Sequence, residues 1–449
     1  MKRAITFIML VSLALAACSG GEVTPTVVPT ALPTAPQATA VMVVAATATT
    51  ASGVPAGPVI AHLEAGKEVF MRYVSMFDQL RGWAVGAGVV DTGDDYILKT
   101  YDSGQTWLDV TPPEPASEGG KFKYAAAYFS SLEQGVVTYY PTDPVSQPSI
   151  FWLTNDGGKT WQPSQPLDAQ GLEAAALTLE KLYFANNQYG WLLLKGEPGA
   201  GQSPAVLYGT RDGGASWERL IDPNSNDKGS IGECCRTGMA FMDDKVGLIT
   251  SVTSPNPKPH FNITRDGGKT WQPIELLPAD EELFSRSLCG TFSPSVLSTQ
   301  SLALVVECTE FIGMEQKYTP YLYVTNDQGN SWAWVSVPVT PLAEGKWEKI
   351  EREQRVMFFD AQNGWFLIED VYTGKDPKNN MSLTQVYKTS DGGQTWTRHK
   401  KNFSWIGQYS FLNLDVGWAI AKLGKVPSFV KTTDGGGKWV ELFPTIRDE

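Results

Sequence analysis

Histidine is scarce in this sequence, three in 449 residues. His62, His260 and His399 are scattered without ligand spacing, which leaves no metal centre to expect. A Gly-x-Ser-x-Gly elbow and a Gly-rich phosphate loop are both missing, so no nucleophile or nucleotide chemistry is signalled and no cofactor is expected. Basic residues are outnumbered, 36 Lys and Arg against 48 Asp and Glu, for a net charge of −12. That deficit excludes non-specific nucleic-acid binding, which rests on Lys and Arg. It also disfavours adhesion to anionic lipid. After the first 17 residues no stretch is long and apolar enough to span a bilayer as a helix.

The first residues have a processing pattern. Met1-Lys2-Arg3 is basic, and Ala4 to Ala14 is a short apolar run. Leu15-Ala16-Ala17-Cys18 then resembles the lipobox of bacterial lipoproteins, which implies cleavage before Cys18 and lipid on its thiol and new amino group. Residues 1–17 are read as the signal peptide. Residues 18–57 are read as the lipidated Cys and a disordered Thr/Pro/Ala-rich tether, with few large side chains to build a core. Mostly extended, such a tether reaches on the order of 100 Å. The expected location is the outer face of the cytoplasmic membrane, or the outer membrane in a diderm.

Gly (43), Trp (15) and Tyr (16) are plentiful, which suits many short strands better than helices. From about residue 58 one octapeptide recurs. Its clearest copy is Thr154-Asn155-Asp156-Gly157-Gly158-Lys159-Thr160-Trp161. Its aspartates are Asp102, Asp156, Asp212, Asp266, Asp327, Asp391 and Asp434, at steps that fit one four-stranded blade plus loops. Two copies are worn at the fourth position, with Ser103 and Gln328, and the last has Lys438 in place of Thr or Ser. A second motif keeps step: an aromatic, a polar turn, then Gly and an apolar residue. Examples are Phe77 with Gly82-Trp83, Phe184 with Gly190-Trp191, Phe241 with Gly247-Leu248 and Phe359 with Gly364-Trp365. The fifth repeat has Phe292 but Ser301-Leu302 in place of the Gly-apolar pair. Each octapeptide reads as the hairpin between strands C and D, with Asp and Thr or Ser tying the turn and Trp buried. These aspartates are structural.

Together the two motifs resemble those of the photosystem II assembly and stability factors, seven-bladed propellers of the Asp-box (bacterial neuraminidase repeat) class. The resemblance covers roughly residues 60–445. It implies an all-β, seven-bladed propeller of four-stranded antiparallel blades over residues 58–449. It also implies a protein that binds a partner rather than catalyses a reaction. Sialidases carry Asp boxes too, but their Arg-Ile-Pro start is missing here.

Function is expected on the face opposite the octapeptides, at the D–A and B–C loops. Arg72, Arg236, Arg286 and Arg355 precede the strand-A aromatics of blades 1, 4, 5 and 6, where they would form an anion site or pair with nearby carboxylates. Trp347, in a charge-dense insertion, is a candidate contact residue. Cys289 and Cys308 fall opposite each other across a hairpin, which suits a disulfide and leaves Cys234 and Cys235 as a vicinal pair or as thiols; a Cys235–Cys289 bridge is the rival. The expected function is a non-catalytic, monomeric surface scaffold that binds a protein or glycan, with no nucleic-acid or metal partner. The alternative is a glycan-active enzyme of sialidase-like type.

Overall fold

The computed structural model describes residues 58–448, apart from the connecting stretches 89–92, 118–121, 141–149, 173–176, 198–202, 223–230, 232–234, 252–259, 278–279, 313–314, 338–348, 374–380, 401–405 and 422–427. Cys18, Cys234 and Trp347 therefore lie outside the described residues. Seven antiparallel sheets form, each with its strands in chain order A-B-C-D. Blade 1 is Val69–Met76, Gly82–Gly88, Tyr96–Thr100 and Thr106–Asp109. Blade 2 is Tyr124–Phe129, Gly135–Tyr140, Phe151–Thr154 and Gln162–Pro163. Blade 3 is Thr178–Phe184, Gly190–Lys195, Ala205–Thr210 and Glu218–Ile221. Blade 4 is Arg236–Phe241, Gly247–Ser251, His260–Thr264 and Gln272–Glu275. Blade 5 has a broken strand A, Leu288–Thr291 and Ser295–Val296, then Leu302–Ile312, Glu315–Thr325 and Ala333–Ser336. Blade 6 is Lys349–Phe358, Gly364–Thr373, Met381–Thr389 and Thr397–Arg398. Blade 7 is Ile406–Phe411, Gly417–Ala421, Ser428–Thr432 and Val440–Leu442.

A sheet in a propeller is covered on both faces, so its inner strands are apolar without alternation. Gly82–Gly88 is buried along nearly its whole length. The hydrophobic core is accordingly divided into seven clusters, each made of residues from two neighbouring blades. The second sequence motif builds these seams. The last residue of strand A faces the first residue of strand B: Phe129 faces Gly135, Phe184 faces Gly190, Phe241 faces Gly247 and Phe411 faces Gly417. The ring lies flat on the glycine, and a Cβ built at Gly247 would stand 2.3 Å from Phe241 Cδ1. In blades 1 and 6 the register corrects the sequence reading by one residue. Met76 and Phe358, not Phe77 and Phe359, face Gly82 and Gly364. In blade 5, Val296 faces Leu302, and Phe292 packs deeper in the seam with blade 6.

The Trp after the glycine reaches into the next blade. Trp83 stacks on Phe129 with ring centres 4.6 Å apart, Trp191 on Phe241 at 3.5 Å, and Trp365 meets Phe411 at 4.1 Å. A lysine faces the indole from strand C in three blades: Lys99 over Trp83, Lys388 over Trp365 and Lys431 over Trp418.

The octapeptides act as expected. In all seven, the first Thr hydroxyl donates to the Asp and accepts from the amide of the fifth residue. In six, the Thr or Ser at position seven gives its hydroxyl to the second carboxylate oxygen at 2.6 Å. The amide of the fourth residue also donates to the A–B turn of its own blade every time, for example Gly157 to Glu133 O and Gly267 to Lys245 O. That bond needs a left-handed residue. Ser103 (φ 70°) and Gln328 (φ 58°) adopt it without being glycine, and their side chains compensate. Ser103 donates to Gln79 O, and Gln328 Nε2 donates to Asp243 at 2.7 Å.

The ring closes in blade 1. Thr445–Ile446 pairs in parallel with Thr106–Asp109 as a fifth strand, and Ile446 is buried. Trp418 Nε1 donates to Ser103 O at 2.8 Å across the same seam.

Two expectations follow. Gly247→Ala forces Phe241 off its seat and lowers stability by about 2 kcal/mol, whereas Gly66→Ser, with no atom near its Cβ position, costs only its backbone strain. Thermal melts of the two variants check this. Acid is the second test. Hydroxyl and amide donors at Thr160, Ser331 and Thr395 hold the Asp156, Asp327 and Asp391 carboxyls at about 2, below the ordinary 3.8. A depressed folded-state pKa stabilises above the unfolded value and is lost as pH falls towards 2. The melting temperature should therefore drop between about pH 4 and pH 2, and the triple Asp→Asn variant should begin lower and drop less over that window.

Candidate functional site

The face opposite the octapeptides is the expected site, and the structure gives each of its four arginines a different setting. Arg72 lies at a bulge in strand A of blade 1. Its Nη1 is 3.2 Å from Asp95 Oδ1, and its guanidinium covers the Tyr124 ring of blade 2 at 4.9 Å. The other Asp95 oxygen accepts the Ala125 amide at 2.8 Å, so this pair ties blade 1 to blade 2. Arg236 is only 2% exposed. Its Nε donates to Glu180 of blade 3 at 2.7 Å, and its Nη1 donates to the carbonyls of Ser203 and Ile231 at 3.0 and 2.8 Å. Such a buried, multiply bonded guanidinium locks a seam.

Arg286 does not lie on a strand. The connection from blade 4 to blade 5 holds a short helix, Glu281–Arg286, capped by Asp280 and seated by Leu283 and Phe284. Arg286 ends that helix, 54% exposed, with Nε 2.9 Å from Glu310 and Nη1 2.7 Å from Glu282. Arg355, in strand A of blade 6, covers the Tyr409 ring of blade 7 at 5.8 Å. Lys181, in strand A of blade 3, is exposed. Desolvation, and next the Arg355 guanidinium, push its ammonium below the usual lysine range. The four arginines thus hold different strand positions, because a helix and two strand bulges break the register the sequence suggests.

Sequence reasoning missed two features. Lys181 is the first. The second is a buried polar set in blades 5 and 6: Glu307, Gln354, Glu369, Asp370, Thr384 and Gln385. Gln354 Nε2 donates to Glu307, and Tyr387 donates to Gln385 Oε1 at 2.9 Å. Their signal was polar residues interrupting otherwise apolar strands, as in Phe366-Leu367-Ile368-Glu369-Asp370.

Blade 5 departs most from the common plan. Its B and C strands run 11 residues each, Leu302–Ile312 and Glu315–Thr325, paired to the end. Compared with the 5-residue strands B and C of blade 4, that is an excess of about 20 Å at ~3.3 Å per residue. Phe311 and Ile312 at its tip are 56% and 58% exposed. Cys289 and Cys308 are register partners at the foot of this arm and form the disulfide, which excludes the Cys235–Cys289 bridge. Strand B continues four residues past Cys308 rather than ending there. Lys317 and Arg286 flank Glu310 higher on the arm. Cys235 is exposed in a left-handed turn (φ 64°) before strand A of blade 4. Among the described residues no group of His, Cys, Asp and Glu is arranged to hold a metal ion, and no helix is long and apolar enough to cross a membrane.

No family model matches the chain, and no curated protein matches it. Solved structures similar to it include the GH74 xyloglucanase from Xanthomonas campestris, at 13% identity over 86% of this chain and 55% of that one, TM-score 0.47. A PL25 ulvan lyase bound to a saccharide is similar at 10% identity over 86% and 96%, TM-score 0.41. The β-propeller domain of the trilobed protease from Pyrococcus furiosus is similar at 7% identity over 84% and 96%, TM-score 0.41. The chain spans just over half the length of the two GH74 enzymes it resembles, 55% and 56%. What these proteins act on is a property of theirs.

Removing the disulfide tests its place at the foot of the arm. Cys289→Ser with Cys308→Ser should lower stability by about 3 kcal/mol, measured by denaturant unfolding. Proteolysis of the variant should begin between residues 302 and 325.

Proposed function

We propose that this chain is a non-catalytic scaffold of the Asp-box class, like the assembly factors in fold. It is held to a membrane by lipid on Cys18, and it docks a protein partner through its loop face. The observation that carries the reading is the blade 5 arm. An apolar tip of Phe311 and Ile312 stands in solvent on a strand pair braced by a disulfide and by the Arg286–Glu310–Lys317 charges. Exposed aromatic and aliphatic anchors on a rigid support are what a protein interface needs, and what a soluble surface otherwise avoids. Two of the loop-face arginines support the same reading. Arg72 and Arg236 hold blades together, and their carboxylate partners are committed to that task.

The test uses a photo-crosslinker at residue 309, beside the tip, in the full chain within its own membranes. A discrete adduct should form, and Phe311→Ser with Ile312→Ser should reduce it about tenfold, the loss of some 1.4 kcal/mol of contact. An adduct indifferent to that change would overturn the proposal. So would robust glycan turnover by the purified full chain, which would make it an enzyme.

A further inference from the structure

A cleft of about 470 Å³ opens at the seam between blades 6 and 7, on the octapeptide side and away from the arm. Its walls include Lys388, Arg398, His399 and Lys400 from blade 6, and Asp434 with Gly437 from the last octapeptide. Both walls depart from the repeat. The four residues after the octapeptide Trp are Thr397-Arg398-His399-Lys400 here, whereas no other blade carries more than one cation in that stretch. On the facing wall, Gly437 stands where four other copies carry the longer side chains Gln105, Lys159, Lys269 and Gln394. Gly437 therefore places no side chain on this wall of the groove. Lys438 has no hydroxyl to give Asp434, unlike the Thr or Ser of the other six copies, and the Asp434 carboxylate is exposed.

The charge arrangement selects a ligand. In a protein of net charge −12, this is a local concentration of cations. Arg398 is half-buried, which weakens solvent competition, and Lys400 is exposed at the rim. Lys388 lies deeper. Its ammonium is lowered by desolvation and held up in part by Asp415 and Asp434. Arg and Lys together bind an oxyanion by charge-assisted hydrogen bonds. Asp434 in the same cleft repels a bare anion but accepts hydroxyl donors. A ligand that satisfies both walls carries one oxyanion and several hydroxyls, and the volume is that of a small-molecule site. A polyanion such as nucleic acid meets the surrounding negative surface instead.

We propose that this cleft binds an acidic sugar, its carboxylate or sulfate on Arg398 and Lys400 and its hydroxyls on Asp434. The inference is independent of the arm and of any protein partner.

Isothermal titration of the full chain with glucuronate and with glucose 6-sulfate tests it. Saturable binding is expected for both, weakened about tenfold by Lys400→Glu and also by Arg398→Gln. Lys159→Glu, at the Gly437-equivalent position in blade 2, should leave it unchanged. Lys400 is exposed outside any strand, so the Lys400→Glu result stands even if Arg398→Gln fails to fold. Three outcomes would overturn the proposal. They are absence of binding to both sugars, binding indifferent to Lys400→Glu, and inorganic sulfate binding as tightly as glucose 6-sulfate, which would reduce the site to an anion patch.

Discussion

Five of the seven blades of this propeller lean on a neighbour through an aromatic ring seated on bare backbone. The ring closes strand A, the glycine opens strand B, and a Cβ at that glycine would collide with the ring, at 1.9 Å for Gly417 against Phe411. The consequence runs sideways. A ring lying flat on its own glycine presents its other face to the preceding blade, where Trp83 or Trp191 stacks on it and Trp365 meets it at a tilt. Stacking fixes the spacing of the sheets, and the lysines above the indoles reach onward. Lys99 Nζ donates to Leu132 O at 2.6 Å in blade 2, and Lys431 to Ser103 in blade 1. One steric fit thus propagates around the circle. Where the fit is absent, in blade 5, a disulfide joins strands A and B instead.

This explains which parts of the molecule were legible in sequence. Phe-turn-Gly and the octapeptide are short-range devices whose partners lie within some thirty residues, so their spacing is written in the chain. The C–D hairpins and the Cys289–Cys308 pair could be placed for that reason. The arginines could not. Their position was inferred by counting back from an aromatic, and counting fails when a bulge adds a residue, as at Arg72 and Arg236, or a helix replaces a loop, as at Arg286. Lys181 and Arg355, in blades 3 and 6, influence each other electrostatically, which no local pattern encodes. The blade 5 arm was hidden because its extra length looks like more strand.

Charge in this acidic chain is distributed by task. Arg236 is placed beneath the surface and bonded to a carboxylate and two carbonyls, where losing it would strand Glu180. The blade 5 arm uses surface pairs, each worth little alone but arranged as a group around Glu310. Six of the octapeptide carboxylates are occupied by hydroxyls and amides, which keeps those negative charges from becoming sites.

The closing strand has a mechanical meaning. Chain entry and ring closure occur in one blade: Ile60 N donates to Glu114 O, Ala116 N to Pro58 O, Val69 N to Pro444 O and Gly66 N to Ile446 O. A load arriving through the chain ahead of residue 58 therefore falls first on blade 1, on bonds joining distant parts of the chain rather than on the seams between blades. Along the chain the bonds of residues 58–60 to 114–116 come first, and the closing strand Thr445–Ile446 follows as the latch, through Gly66 and Val69. The other six blades are shielded from tension until that latch gives way, so the ring behaves under pull as a clasp with a single point of failure.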